Sequence, residues 1–162
     1  MTKTETYEEL LAQLASLCEG ETDETSVLAN AAALLHATFD WHWTGFYLVR
    51  PLAGDGSPAE ELRLGPFQGS VACMHIGYGR GVCGTAWKTN QTQVVPDVDQ
   101  FPGHIACSSL SRSEIVVPMH DASGRVTGVL DIDSRHLDAF DNTDRQYLER
   151  AVDILTSSGG SL

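Results

Sequence analysis

In Glu114-Ile-Val-Val-Pro-Met-His-Asp-Ala-Ser-Gly-Arg-Val-Thr-Gly-Val-Leu-Asp-Ile-Asp133, two apolar, β-branched runs flank a short polar link. Glu114 to Met119 and Val126 to Ile132 read as strands, and Ala122-Ser-Gly-Arg125 joins them with a glycine free to take positive φ. This hairpin commits the chain to antiparallel sheet. Upstream, Trp43 to Val49 alternates in period 2, and Glu61 to Phe67 resumes after the Gly- and Pro-rich segment Pro51 to Pro58, which predicts a second hairpin with a loose loop. Short strands are expected at Cys73 to Ile76 and Gln93 to Val95, with a short helix at Val82 to Trp87 between them. Asp97 to Arg112 reads as a structureless run, and long loops inside compact domains tend to carry function.

Helical periodicity brackets the sheet. Thr6 and Glu9 have capping-box spacing, Tyr7, Leu10, Leu11, Leu14 and Leu17 share a face, and Gly20 supplies a stop. Asp23 is suited to cap a second helix carrying Val27, Ala31, Leu34 and Leu35 and ending near Phe39. Asp141 or Asn142 opens a last helix with Tyr147, Leu148, Ala151, Ile154 and Leu155 in one stripe. The order predicts an α+β fold, a single domain over 1–158 with an antiparallel sheet flanked by helices, followed by a flexible tail at 159–162.

The 162 residues are enough for one domain with its own core, so no cysteine is needed as a staple. A formal charge of -12 repels polyanions and argues against nucleic acid or anionic membrane as a partner. The first residues lack a basic and apolar leader, and no run of about 18 apolar residues occurs, so a cytoplasmic location is expected. In reducing cytosol thiols serve reversible chemistry rather than stapling, which directs attention to Cys73, Cys83 and Cys107, all in one glycine-rich stretch.

Cys107 lies in the long loop, three residues after His104 and just before Ser108 and Ser109, where loop amides and these side chains can stabilise a thiolate. Its bland alternative is a small buried hydrophobe. Cys73 and Cys83 compete for the role of second thiol, which rescues a sulfenic acid by condensing with it to a reducible disulfide. Cys18, on the apolar side of the first helix, reads as structural.

Asp131 and Asp133, at i and i+2 of a strand, emerge on one face, with Glu114 a third carboxylate if the two strands pair closely. Carboxylates flanked by Val129, Leu130 and Ile132 are costly unless they bind something, and an ammonium group suits them. The alternative is a solvated strand end. Trp43 and Tyr47 share a face of the first strand, either as core or as an aromatic wall for a methyl-sulfur group. Gly77 to Gly81 with Arg80 has the look of an anion nest at a helix start. Cys73-x-His75 and His104-x-x-Cys107 together match tetrahedral zinc by ligand count but not by finger spacing, so no metal is expected.

The segments Gly45-Phe-Tyr-Leu48, Leu64-Gly-Pro-Phe-Gln-Gly69, Gly79-Arg-Gly-Val-Cys-Gly-Thr-Ala86, Gly103-His-Ile-Ala-Cys107, Ser113-Glu-Ile-Val-Val-Pro118 and Gly128-Val-Leu-Asp-Ile-Asp-Ser134 together resemble the free methionine-R-sulfoxide reductases, enzymes built on the GAF domain. The resemblance implies Cys107 as nucleophile, Cys73 as principal resolving cysteine and Cys83 as a secondary one. It further implies that Glu114, Asp131 and Asp133 hold the substrate, with Trp43 lining the methyl-sulfur pocket. Beyond the site it implies a homodimer, thioredoxin as electron source and no cofactor. Ser108-Ser-Leu-Ser-Arg112 and the long loop Pro51 to Glu60 depart from the family pattern. A non-catalytic GAF module that senses a small ligand is the rival reading.

Overall fold

The computed structural model describes residues 1–52, 56–104 and 110–158. Cys107 and the tail 159–162 lie outside the described residues. In chain order the elements are helices α1 (Lys3–Cys18) and α2 (Glu24–Thr38), strands β1 (Trp43–Pro51), β2 (Glu60–Gln68) and β3 (His75–Ile76), helix α3 (Gly81–Thr89), strands β4 (Gln93–Val95), β5 (Ser113–His120) and β6 (Val126–Ser134), and helix α4 (Asn142–Ser158). Among the described residues the six strands form one antiparallel sheet in the order β3-β2-β1-β6-β5-β4. The α+β architecture expected from the two hairpins is present. Pro118 is tolerated inside β5 because β4 pairs no further along it than Val116, so the missing N–H faces no partner strand there.

Strand alternation sorts the two faces. Phe46, Ile115, Val117, Leu130 and Ile132 point to one side, where they pack with the apolar stripes of α1, α2 and α4. Trp43, Tyr47, Val116 and Val129 point to the other, against Val82, Cys83, Ala86 and Trp87 of α3. Three helices therefore seal one face, while a short helix and loops cover the other. Trp43, Tyr47, Glu114, Asp131 and Asp133 all line a pocket on the less heavily covered face.

Three of the departures from the sequence reading have a clear physical reason. Helix α1 starts a turn before the expected Thr6 cap, at a capping box in which Thr2 accepts from the Glu5 N–H at 3.1 Å and Glu5 accepts from the Thr2 N–H at 3.0 Å. The extra turn brings Lys3 within 2.7 Å of the buried Asp144 carboxylate, which also accepts from the Tyr7 hydroxyl at 2.6 Å, and this tertiary clasp selects the longer helix. Strand β3 begins after Cys73, whose carbonyl accepts a hydrogen bond from the Tyr47 hydroxyl at 2.9 Å. The run read as structureless contains a 3-10 turn, Val98–Gln100, nucleated by the Asp97 side chain accepting from the Asp99 N–H.

Candidate active site

The register of β1, β6 and β5 assembles the acids. Trp43 stands opposite Asp133 and Gly45 opposite Asp131, while Glu114 on β5 stands opposite Asp133. Residues facing each other across antiparallel strands are side-chain neighbours, so three carboxyls and an indole share one patch of sheet. Trp43, Tyr47, Cys83, His104, Glu114, Asp131 and Asp133 all line the same pocket. Ser70, Val71, Ala72 and Arg80 complete much of its rim.

Glycines make room for the indole. A Cβ on Gly45 would stand 2.6 Å from Trp43 Cη2 and 2.3 Å from the Phe67 Cβ, and one on Gly69 would stand 2.6 Å from Trp43 Cδ1. The ring lies across both positions and stacks on Phe67 at 5.2 Å between centroids. Trp43 Nε1 donates to the Ser70 carbonyl at 3.0 Å, and the Tyr47 hydroxyl donates to the Cys73 carbonyl. The two aromatics thus do more than fill core: they hold the segment 70–73 against the sheet. Buried polar tips need such partners, and the backbone that follows β2 supplies them.

The electrostatics follow from burial. Desolvation, then the charges of Asp131 and Asp133, push the Glu114 carboxyl well above the usual carboxylate range. Burial and then Asp131 do the same to Asp133. Asp131 is also raised by burial, while the Glu114 carboxyl, the Cys83 thiol and His104 pull it part of the way back. These acids therefore keep their protons to higher pH than free carboxyls do. Asp131 Oδ1 is buried and has no hydrogen-bond partner among the described residues. A buried oxygen with nothing to accept from is expensive, and it marks a place for a donor.

The thiols differ in setting. Cys18 is free, buried in the helical core, and raised by desolvation, as suits a structural residue. Cys83 is also free and buried, on the first turn of α3, where burial and then Asp131, Glu114 and Asp133 push its thiol well above the ordinary cysteine value. Cys73 is disulfide-bonded. His104, which precedes the Cys107 segment, lies in the pocket wall with Nε2 3.9 Å from Glu114 Oε1. That proximity to the acids is not visible from spacing, since the sequence ties His104 only to its loop neighbours. Ser70 to Ala72 was equally unreadable, being a run of small residues with no motif.

The zinc grouping read from spacing is not assembled in its histidines. His75 lies on the exposed edge strand with Nδ1 2.9 Å from Glu61 Oε1, whereas His104 is in the pocket. The glycine turn 77–81 does lead into α3, and Arg80 and Gly81 reach the pocket at that helix start.

The GAF domain family matches residues 23–157 of the chain. The chain is 42% identical, over 98% of its length and 88% of the relative's, to a free methionine-R-sulfoxide reductase of Saccharomyces cerevisiae. The chain belongs to the free methionine-R-sulfoxide reductases. It is also 50% identical, over 94% of its length and 92% of the relative's, to GAF domain-containing protein A of Dictyostelium discoideum. The solved structure of the free methionine-R-sulfoxide reductase of Neisseria meningitidis, in complex with its substrate, superimposes with a TM-score of 0.92 at 51% identity, covering 99% of this chain and 92% of that one. No helix among the described residues is long and apolar enough to cross a membrane.

Proposed function

We propose that the protein reduces free L-methionine-R-sulfoxide to L-methionine by cysteine sulfenic acid and disulfide chemistry. The observation that carries this reading is the pocket in which Glu114, Asp131 and Asp133 meet Trp43 and Tyr47, with one buried Asp131 oxygen unpaired among the described residues. A zwitterion fits such a site: its ammonium group answers the acids, its methyl-sulfur end lies on the aromatic wall, and its carboxylate faces Arg80 and the N-terminus of α3. An N-blocked methionine, as in a protein, would leave buried charge unpaired, which explains a preference for the free amino acid.

In the proposed cycle the Cys107 thiolate attacks the sulfoxide sulfur while an acid of the Glu114, Asp131 and Asp133 set protonates the departing oxygen. The protonated oxygen passes from the substrate sulfur to the Cys107 sulfur as the transient sulfur–sulfur bond breaks, so methionine leaves and Cys107 is left as sulfenic acid. The Cys73 thiol then attacks that sulfur, water leaves, and a disulfide forms, which thioredoxin or another dithiol reduces by exchange. The disulfide-bonded state of Cys73 supports this assignment. Cys83, kept protonated by burial and its acidic neighbours, takes the secondary resolving role. Val71 and Met74, both exposed beside Cys73, suit the approach of a protein reductant. The reading places the protein in the cytoplasm as a homodimer and gives it neither metal nor organic cofactor.

The test is turnover of free methionine-R-sulfoxide, its S epimer and the N-acetyl analogue with a dithiol reductant. The R epimer of the free amino acid is expected to dominate, and Cys107→Ser is expected to abolish turnover. Full activity in Cys107→Ser would remove the nucleophile and with it the proposal.

A further inference from the structure

The pocket contains a donor that recognition of an ammonium group does not require. The Cys83 sulfur and carboxylate oxygens of Glu114 and Asp131 lie within 4.8 Å of one another, and all three residues are buried. An ammonium group takes oxygen acceptors and gains little from sulfur, whereas sulfur is a preferred ligand of borderline and soft metal ions. Donors on one tetrahedral zinc ion, with zinc–sulfur near 2.3 Å and zinc–oxygen near 2.0–2.2 Å, stand roughly 3.5 Å apart.

A second, separate observation points to a ligand here. Asp131 is 6% exposed, lines the pocket, and keeps Oδ1 without a partner among the described residues. His104, with Nε2 3.9 Å from Glu114 Oε1, stands beside this group without belonging to it. Sulfur and carboxylate together suit zinc(II) and its congeners rather than magnesium or calcium, which take oxygen ligands. We propose that the pocket is also a binding site for a thiophilic divalent cation, zinc(II) in particular, held by Cys83, Glu114 and Asp131. On binding, the Cys83 thiol proton passes to solvent and no electron moves. The ion occupies the ground on which the acids would otherwise meet an ammonium group.

The experiment uses the full chain with Cys73 in its disulfide, so that the reactive dithiol of the proposed cycle does not itself bind metal. Cobalt(II) chloride serves as the spectroscopic probe and zinc(II) chloride as competitor. The expected result is a saturable, one-equivalent thiolate-to-cobalt charge-transfer band that zinc removes, that Cys83→Ser abolishes, and that Asp131→Asn shifts to higher cobalt concentration. Cys18→Ala is expected to leave it unchanged, since that thiol lies in the helical core on the other face of the sheet. Absence of a saturable band, or a band that persists in both Cys83→Ser and Asp131→Asn, overturns the proposal. Folding of each variant is checked by circular dichroism, and Asp131→Asn keeps the test decisive should Cys83→Ser be unstable.

Discussion

Replacing Asp131 by Asn removes one charge from the pocket floor while preserving shape. The side chain is buried and its Oδ1 is unpaired among the described residues, so a contact from a substrate ammonium group is made out of bulk water, where charge-assisted hydrogen bonds reach their full worth. Such a bond contributes about 1.5–3 kcal/mol. That corresponds to a loss of roughly 10- to 150-fold in kcat/KM for free methionine-R-sulfoxide. Stability should move the opposite way. Burial holds the Asp131 carboxyl above its unfolded range, so as pH rises past about 3.9 the unfolded chain releases a proton that the folded chain retains, and the native state loses ground. Asn carries no such liability, so the variant should melt higher than the natural protein at neutral pH, with the gap closing as pH falls below that value. The assay pairs steady-state kinetics on free and N-acetylated substrates with thermal melts across this pH range. A variant that is less stable at neutral pH, or that loses both substrates equally, refutes the assignment of Asp131 to the ammonium group.

Cys73→Ser should still release methionine in a first, stoichiometric turnover yet fail to recycle with thioredoxin; equal loss of both steps in rapid-quench experiments counts against its resolving role. Gly45→Ala places a methyl group 2.3 Å from the Phe67 Cβ and 2.6 Å from Trp43 Cη2. Overpacking of this kind costs about 1–3 kcal/mol, or roughly 2–12 °C in Tm at this chain length, and the tilted indole should raise KM; an unchanged melt would show that the strands relax freely. Asp144→Ala strips the partner from the buried Tyr7 hydroxyl and from Lys3, costing about 1–3 kcal/mol. Because this clasp lies on the helical face, kcat/KM per folded molecule should not change, and a large kinetic defect would reveal coupling across the sheet.

The strands were legible because their residues obey the pleat: Val129, Leu130 and Ile132 around Asp131 and Asp133 announce a buried strand with acids on one face, and the β1–β6–β5 register supplies Glu114 at the expected neighbouring place. Helix caps were readable in kind but not in position at α1, where the cap falls at Thr2 instead of Thr6 and the choice rests on Asp144, far away in sequence. Spacing proved a poor guide to the histidines. His75 and His104 sit at similar distances from a cysteine along the chain, yet one pairs with Glu61 at the sheet edge and the other with the acids. Nothing local records that difference, because it depends on how the loop after Gln100 returns over the sheet. The roles of Ser70 and Cys73 as backbone acceptors were hidden for the same reason, since carbonyls leave no trace in side-chain pattern.

Trp43 and Tyr47 anchor the backbone on either side of Val71 and Ala72, just ahead of the position that the proposed cycle needs for reoxidation. Catalyst redesign inherits that yoke. Enlarging the hydrophobic wall to admit bulkier sulfoxides would simultaneously loosen the tether of the electron-accepting segment, so substrate scope and turnover by the physiological reductant cannot be tuned independently at these two residues.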